Sequence, residues 1–472
     1  MHTSPFINQR QRILEANAAE YGPLAQELHW VSASHAREAE AERTHRLSAL
    51  GNNIKVAHEG TKPHLGPLAT GCHICSQGEW SCLFINGKCN CRCFYCPTVQ
   101  DEISVPTTNR IPFAKARDYA DYIRHFDFKG VSISGGEPLL TFDSTLRYIE
   151  TVRRRQGDAL HIWLYTNGTL LTAEHLIRLE SAGLNEIRFD ISAADYDLKK
   201  VEMAVGRIPC VTVEIPIIPE DRPRVAELLS AMHDIGVSHL NLHQLRLTPY
   251  NSSRLKIRPY TFLHGEKVTV LESELTALAL MQTAVAQNIG LPINYCSFVY
   301  KHHYQRAANR RRSARFILKG PESITDSGYI RALALTGPAE RIGRQAEDLS
   351  RHNADPQLWS ISAQKDRLCF HERLWPLIDF EGCELMVSYS EALLRPLISY
   401  QRAFKEIRIN TGRTLYVEKQ PLSINRRLND AQKSALANLV IGPAPSEPGR
   451  KEQELGEIIE YELIRPGLQE YF

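Results

Sequence analysis

The sequence predicts an α/β fold built on parallel strands, and three observations support this prediction. Short apolar runs alternate with helical patterns from about residue 80 to about residue 244. The repeat places one helix after each strand, which is the connection that neighbouring parallel strands require. The 472 residues include 43% hydrophobic and 23% charged residues, a composition typical of a globular protein with a large core.

The first 66 residues are predicted to be helical. Gln9–Tyr21 is a helix-forming run that ends at Gly22-Pro23, and Ser34–Leu50 is rich in Ala, Glu and Arg. We therefore assign residues 1–66 to a helical N-terminal extension.

Six strands and five helices are predicted next, within a barrel domain assigned to residues 67–318. The strands are Cys82–Asn86, Gly130–Ser134, His161–Tyr165, Glu186–Asp190, Val211–Ile217 and His239–Gln244. The helices are Phe113–His125, Ser144–Arg154, Ala173–Ala182, Asp197–Val205 and Arg222–Asp234. Thr172 is a suitable N-cap for the third helix, and Gly183 a suitable stop.

The rhythm changes after about residue 319, and we assign residues 319–472 to a separate α+β domain. Strands are predicted at Tyr329–Leu335, Cys383–Tyr389 and Thr414–Val417, and a helix at Glu391–Lys405. Asn410–Gly412 is predicted to be a tight turn. Residues 442–449 are rich in Pro and Gly and are predicted to be an exposed linker.

Three closely spaced cysteines provide the strongest chemical signal. Cys89, Cys93 and Cys96 follow a C-x3-C-x2-C pattern, with Tyr95 directly before the last cysteine. Three thiolates can bind three irons of a [4Fe–4S] cube and leave the fourth iron without a protein ligand. Reductive cleavage of S-adenosylmethionine requires such an open iron.

Zinc is the alternative for these cysteines. Cys72-x2-Cys75 and Cys93-x2-Cys96 are separated by seventeen residues, which fits a structural four-cysteine zinc site. Zinc needs no further cysteine at Cys89, and it does not account for the βα repeat that follows. Cys72 and Cys75, with Cys82 and Cys296, remain open between an auxiliary iron–sulfur cluster, a zinc site and inert buried thiols.

Glycine turns follow two of the predicted strands. Ser134-Gly135-Gly136-Glu137-Pro138 comes after the second strand, where glycines let the backbone approach a ligand closely. Tyr165-Thr166-Asn167-Gly168 follows the third strand, although Asn-Gly also favours a simple turn. Both turns lie at the carboxyl ends of strands, where parallel barrels bind ligands.

Polar residues alternate at the end of the fourth strand. Arg188, Asp190 and Ser192 point to one face of an extended chain, so they could line the barrel and bind a cofactor. Structural salt bridging is the alternative role for these side chains.

Over about residues 71–250, the order of these motifs resembles the radical S-adenosylmethionine (radical SAM) superfamily, and within it a branch related to the pyruvate formate-lyase activating enzyme. The resemblance implies a partial (βα)6 TIM-type barrel, a [4Fe–4S] cluster on the three cysteines, and S-adenosylmethionine bound to that cluster. The activating enzyme itself is much shorter, so its reaction is not transferred to this chain. The residues that the resemblance and the polar pattern assign to cofactor binding are Tyr95, Gly135, Gly136, Glu137, Pro138, Asn167, Arg188, Asp190 and Ser192.

The expected function is hydrogen-atom abstraction by a 5′-deoxyadenosyl radical from an unknown substrate, with a peptide or protein favoured by the resemblance. The expected reductant is a flavodoxin- or ferredoxin-type protein. Eleven cysteines in a large chain with no recognisable export signal suggest metal or redox chemistry in a reducing cytosol, so we expect a cytoplasmic protein. A net charge of +2 and the lack of an apolar run of membrane length predict no membrane partner.

The alternative function is a non-catalytic zinc or iron–sulfur module that contacts RNA or another anionic partner, although nucleic acid is not the favoured partner. Its basic cluster would be Arg306, Arg310, Arg311, Arg312 and Arg315, near Lys301.

Overall fold

The computed structural model describes residues 7–442 and 454–471. The described residues form two compact units, one of residues 11–305 with 466–471 and the other of residues 7–10 with 306–442 and 454–465. Residues 443–449 of the predicted linker lie outside the described part of the chain.

The larger unit carries an α/β sheet. Its strands are β1 (Ile54–Ala57), β2 (Lys62–Leu65), β3 (Trp80–Asn86), β4 (Thr107–Thr108), β5 (Ile111–Pro112), β6 (Gly130–Gly135), β7 (His161–Thr166), β8 (Glu186–Phe189), β9 (Cys210–Pro216), β10 (His239–His243), β11 (Phe262–Leu263), β12 (Thr269–Val270) and β13 (Ile293–Cys296). Its helices are α1 (Ile7–Tyr21, which begins in the other unit), α2 (Ala33–Leu50), α3 (Thr70–Ser76), α4 (Ala116–His125), α5 (Phe142–Gln156), α6 (Ala173–Ser181), α7 (Lys199–Ala204), α8 (Arg222–Asp234), α9 (Ser252–Leu255), α10 (Leu271–Ala286) and α11 (Phe298–Tyr300), followed by a π-helical turn at Lys301–Gln305.

The main sheet has the order β1-β2-β13-β10-β9-β8-β7-β6-β3-β4-β5. The neighbours from β3 to β13 in this order pair in parallel, whereas β2 and β4 join the two ends in antiparallel fashion. The sheet is therefore an open, partial barrel, and the predicted fold class is confirmed. The six predicted strands and five helices are all present, with ends shifted by up to three residues.

The parallel strands are buried on both faces, and the two faces differ in chemistry. Ile162 and Leu164 of β7 are buried apolar residues, while Trp163 and Tyr165 between them line an internal cavity. Successive side chains of a strand point to opposite faces, so one set packs on the helices and the other faces the barrel interior. Thr172 caps α6 as predicted, because its hydroxyl accepts a hydrogen bond from the backbone N–H of His175.

Two parts of this unit were not predicted. The strand β13 is a seventh parallel strand, and it brings Cys296 beside His243 of β10. The N-terminal region is not wholly helical, because β1 and β2 form a hairpin whose second strand pairs with β13. The strands β1, β2 and β13 have only four residues each, too few to give a clear period in the sequence.

The smaller unit contains a second sheet. Its strands are β14 (Glu322–Ile324), β15 (Ile330–Thr336), β16 (Trp359–Ile361), β17 (Arg367–Phe370), β18 (Glu384–Arg395), β19 (Phe404–Asn410) and β20 (Arg413–Arg427). All its pairings are antiparallel, in the order β16-β17-β15-β18-β20-β19 with β14 on β15. Its helices are α12 (Arg306–Ala314), α13 (Ala339–Arg351), α14 (Asp430–Val440) and α15 (Ile459–Glu462).

The predicted helix at Glu391–Lys405 is wrong. Residues up to Arg395 continue the strand β18, and its Leu393 pairs with Glu418 of β20. Glu, Ala and Leu favour helix in isolation, but pairing with a neighbouring strand outweighs this local preference. Pro396, which is unfavourable inside a helix, follows the strand. The predicted strands of this region and the turn at Asn410–Gly412 are confirmed.

The basic cluster lies mostly on α12 of the smaller unit. Arg310 and Arg311 donate hydrogen bonds to the backbone carbonyls of Ser327 and Asp326, so these two guanidinium groups brace a turn before β15. Arg310 also lies 4.3 Å from the ring centroid of Tyr329.

Candidate active site

A cavity of about 670 Å³ lies at the carboxyl ends of the parallel strands in the larger unit. This volume falls within the range of about 300–1,000 Å³ found for small-molecule sites. The cavity borders the Cys89–Cys96 loop, the turn at Gly135–Glu137, and side chains from β7 to β13. Most of the sequence-predicted residues therefore meet at one place, although Pro138, Ser192 and Cys82 are not among those that line the cavity.

The cysteine loop is anchored through its backbone. Asn251 Nδ2 donates to the carbonyl of Tyr95 at 3.0 Å, and the Thr248 hydroxyl donates to the carbonyl of Pro97 at 3.1 Å. Arg254 donates to the carbonyl of Cys93 at 3.2 Å. The segment after β10 thus satisfies three carbonyls that the irregular loop cannot pair internally.

The thiols of the loop are free and partly buried. Cys89 Sγ accepts hydrogen bonds from the backbone N–H of Cys91 at 3.4 Å and from Asn167 Nδ2 at 3.7 Å. Burial raises the pKa of Cys89, whereas the two hydrogen bonds to its sulfur lower it. Burial also raises the pKa of Cys93, to about 11. Without a metal, the Cys89 and Cys93 thiols are protonated at neutral pH.

Cys91 lies between Cys89 and Cys93 in the same loop. Its Sγ donates to the carbonyl of Ala193 at 3.7 Å. Burial and the neighbouring Cys89 and Cys93 raise its pKa to about 12. The Cys96 thiol also donates to a backbone carbonyl, that of Thr98 at 3.5 Å, so this contact does not distinguish Cys91 from the predicted ligands.

Glycine is required at both positions of the Gly135-Gly136 turn. Gly135 has φ of +134°, and a Cβ atom there would lie 2.2 Å from the carbonyl oxygen of Asn86. A Cβ atom on Gly136 would lie 1.9 Å from the carbonyl oxygen of Lys88, the residue before Cys89. The end of β6 therefore packs directly against the start of the cysteine loop.

The Glu137 carboxylate holds neighbouring turns together. It accepts hydrogen bonds from the backbone N–H groups of Leu139 and Asn167 and from the hydroxyl of Thr166. Burial raises its pKa, and these hydrogen bonds oppose the shift. Its carboxylate thus joins the ends of β6 and β7, a role that sequence reasoning missed.

Asn167 connects its turn to the cysteine loop. Its Nδ2 reaches Asn90 Oδ1 at 2.9 Å, while its Oδ1 accepts from the backbone N–H and hydroxyl of Thr169. The Asn167 side chain is therefore oriented at both ends.

Tyr95, Asp190 and Ser192 form a hydrogen-bonded group. The Tyr95 hydroxyl lies 3.0 Å from Asp190 Oδ2 and 2.8 Å from the Ser192 hydroxyl, and Ser192 also donates to Asp190. Burial raises the pKa of Asp190, while hydrogen bonds from Ser192 and Tyr95 lower it. The group ties the aromatic residue of the cysteine loop to the end of β8.

Arg188 lies between two buried carboxylates. Its guanidinium contacts Glu186 at 2.8 Å and Glu214 at 2.7 Å. Both carboxylates are almost fully buried, so the pairing meets the demand for charge compensation inside the barrel. The alternative role named for Arg188, structural salt bridging, is therefore present.

A second group of thiols faces the cavity from α3 and β13. Cys72, Cys75 and Cys296 line the cavity. Burial raises the pKa of Cys75 to about 12, and the neighbouring Cys296 and Cys72 thiols add to this shift. Gln305 Nε2 donates to Cys75 Sγ at 3.0 Å. Lys62, which is 1% exposed, lines the same part of the cavity.

Among the described residues, no three His, Cys, Asp or Glu side chains are grouped closely enough to hold a metal ion. The thiolates of a [4Fe–4S] cube bind separate irons at its corners, so they are spread more widely than the ligands of one ion.

Sequence reasoning missed a cationic wall of the cavity. Arg246 follows β10, and Phe298 and Lys301 follow β13; all three line the cavity. The rule that ligands bind at the carboxyl ends of parallel strands could have identified Arg246, but the other two depend on the unpredicted seventh strand.

Of the residues 7–442 and 454–471, none belongs to a helix with the length and apolar character to cross a membrane.

Parts of the chain are similar to known proteins. Residues 83–209 match the radical SAM superfamily. A protein from Methanocaldococcus jannaschii, named as a candidate glycyl-radical enzyme activating enzyme, is 26% identical over 316 residues, which cover 64% of this chain and 83% of that protein. A GTP 3′,8-cyclase from Staphylococcus carnosus is 32% identical over 120 residues, which cover 25% of this chain and 34% of the cyclase.

Among solved structures, SuiB from Streptococcus suis bound to the precursor peptide SuiA aligns with a TM-score of 0.36 and 13% identity, over 56% of this chain and 53% of SuiB. The superfamily match covers both the cysteine loop and the Gly135-Gly136 turn, and the longest of these alignments is with a protein named as an activating enzyme. The chain is an enzyme that carries a radical SAM domain at residues 83–209, and over 316 residues it is similar to a protein named as an activating enzyme.

Proposed function

We propose that Cys89, Cys93 and Cys96 bind a [4Fe–4S] cluster with one open iron, and that S-adenosylmethionine fills the adjoining cavity. The observation that carries the proposal is that these three thiols and the Gly135-Gly136 turn border one cavity of about 670 Å³. When bound, the cluster supplies an electron to the sulfonium, which yields methionine and a 5′-deoxyadenosyl radical that removes a hydrogen atom from the substrate.

The local chemistry of the loop fits such a cluster. N–H groups from Cys91 and Asn167 point at the Cys89 sulfur, and such donors stabilise cluster sulfur in iron–sulfur proteins. The raised pKa of Cys93 means that cluster loading releases protons, and loading is therefore favoured at higher pH.

The proposed roles of the cofactor-binding residues follow from their partners. Backbone carbonyls of the Gly135-Gly136 turn would accept hydrogen bonds from the methionine ammonium, while the Glu137 carboxylate fixes the turn. Asp190 and Tyr95 offer polar atoms for the ribose hydroxyls. Arg188 and Glu214 form the floor of the site through their ion pair.

We propose that Cys72, Cys75 and Cys296 bind a second iron–sulfur cluster rather than a single zinc ion, because the described residues contain no group of three side chains close enough for one ion. Gln305 already donates to the Cys75 sulfur, and the buried Lys62 ammonium would compensate part of the negative charge of metal-bound thiolates. Cys82 does not line the cavity, and we therefore leave it out of this ligand set.

We propose a peptide or protein as the substrate class. The support is that the Methanocaldococcus jannaschii relative, aligned over 83% of its length, is named as an activating enzyme. The electron donor in this proposal is a flavodoxin- or ferredoxin-type protein, and the compartment is the cytoplasm.

The test is anaerobic reconstitution of the full chain with iron and sulfide, followed by a dithionite-driven assay for 5′-deoxyadenosine. Cys93→Ala is expected to abolish the product, and Cys91→Ala, the matched control from the same loop, to retain it. Stoichiometric zinc with no 5′-deoxyadenosine from the wild type would instead support the metal-binding module and contradict the proposal.

A further inference from the structure

Two cationic side chains of the cavity have no carboxylate partner. Lys301 Nζ and the Arg246 guanidinium lie 4.8 Å and 5.8 Å from the centroid of the same Phe298 ring. Neither cation forms an ion pair with any carboxylate in the described residues. A pair of cations against one aromatic ring is thus presented to the cavity.

Lys301 is oriented by a neutral histidine. Its Nζ lies 3.1 Å from Nδ1 of His243, and Nε2 of His243 lies 2.8 Å from Oε1 of Glu214. An ammonium only donates and a carboxylate only accepts, so His243 Nδ1 is the acceptor and Nε2 carries the proton. The neutral ring accepts from Lys301 and donates to Glu214, so two protons of the ammonium remain for another acceptor.

Arg246 has one buried donor that the described residues do not satisfy. Its Nε is buried and has no hydrogen-bond partner there. Burial lowers the pKa of Arg246, and Tyr21 and Glu20 compensate only in part. The Glu20 carboxylate itself lies 3.9 Å from Lys267.

The Lys301 and Arg246 side chains can be stabilised by an anionic ligand that accepts hydrogen bonds from them. Both residues are half-buried, so their charges lose part of their hydration, and Arg and Lys bind carboxylate or phosphate through charge-assisted hydrogen bonds. The strand order separates this pair from the cofactor residues, because Arg246 follows β10 and Lys301 follows β13, whereas the cofactor residues follow β3, β6, β7 and β8.

We propose that Lys301 and Arg246 bind an anionic group of the substrate, a carboxylate or a phosphate, with the Phe298 ring between the substrate and the barrel wall. This inference rests on the proposed function, since it assigns the remaining part of the cavity to the substrate.

The test is calorimetric titration of acetate and of inorganic phosphate into the reconstituted, unreduced full chain saturated with S-adenosylmethionine. At least one anion is expected to bind the wild type, and Lys301→Met or Arg246→Met to weaken its binding by about tenfold. Lys199→Met and Arg147→Met, which remove exposed cations from α7 and α5, are expected to change it less than twofold. Tighter acetate binding would indicate a carboxylate, and tighter phosphate binding a phosphate.

Three results would overturn the inference. The first is no binding of either anion by the saturated wild type, and the second is equal binding by the Met variants. The third is an anion that binds the wild type without S-adenosylmethionine and is displaced when S-adenosylmethionine is added, which would assign the cations to the cofactor's own carboxylate. The last measurement uses only wild-type protein, so it stands even if a variant fails to fold. Failure of the proposed function is distinct, because it would appear as absent 5′-deoxyadenosine in the reduced wild type.

Discussion

Replacement of Gly136 by alanine tests the contact between β6 and the cysteine loop. The new Cβ would lie 1.9 Å from the carbonyl oxygen and 2.2 Å from the carbonyl carbon of Lys88. Both atoms belong to the backbone, so no side-chain rotation can relieve the overlap. The two segments must separate by about 1.5 Å to reach an ordinary contact of 3.4 Å, and Cys89 is the next residue to move.

The displacement sets the expected magnitude. A misplacement of 1 Å in a catalytic site can cost about 100-fold in rate, so we expect Gly136→Ala to lower 5′-deoxyadenosine formation by about 100-fold. Overpacking should also lower the free energy of unfolding by about 1–3 kcal/mol, measured by urea denaturation of the apo protein.

Gly343→Ala is the matched control, because a Cβ atom at this α13 position meets nothing within 4 Å. It should leave product formation unchanged and raise the free energy of unfolding by up to about 1 kcal/mol. A Gly136→Ala enzyme with a full cluster and a rate within twofold of the wild type would refute the reasoning.

Three further predictions concern the barrel. Arg188→Met leaves the Glu186 and Glu214 carboxylates buried without their cation, so it should lower the free energy of unfolding in urea by about 3–5 kcal/mol. Arg178→Met, which removes an exposed cation, should lower it by less than about 1 kcal/mol. Equal losses of unfolding free energy in the two variants would contradict this prediction. Burial opposes ionisation of Glu186, but Arg188 and nearby hydrogen bonds lower its pKa to about 2. Its stabilising contribution is therefore present above about pH 4.5 and is lost as pH falls towards 2, so Glu186→Gln should flatten the acid limb of apo-protein stability; an unchanged limb would count against it. Thr172→Ala should cost about 1 kcal/mol through loss of the α6 cap, and no change in urea midpoint would be inconsistent with that cap.

Local sequence was enough to predict the parts of the site that depend on neighbouring residues. The cysteine spacing and the Gly135-Gly136 turn are continuous motifs, and both border the cavity. The alternation around Arg188 correctly placed its side chain inside the barrel. That these residues bind a cluster and S-adenosylmethionine stays a prediction.

The partners of these residues could not be predicted because they are distant in the chain. The sequence does not show that Glu137 accepts hydrogen bonds from the turn after β7, or that Arg188 is paired with Glu214. The same limit applies to the helix predicted at Glu391–Lys405, where local preference lost to pairing between β18 and β20. Lys301 was named only as a neighbour of the arginine cluster, because its place beside His243 depends on β13.

Electron paramagnetic resonance of the reduced, reconstituted protein tests the central claim most directly. The Cys72→Ala/Cys75→Ala double variant removes the proposed second ligand set, so that a single cluster of about four irons remains. We predict that its spectrum changes when S-adenosylmethionine is added and that 5′-deoxyadenosine then forms. A cluster-loaded variant whose spectrum is identical with and without S-adenosylmethionine would contradict the account.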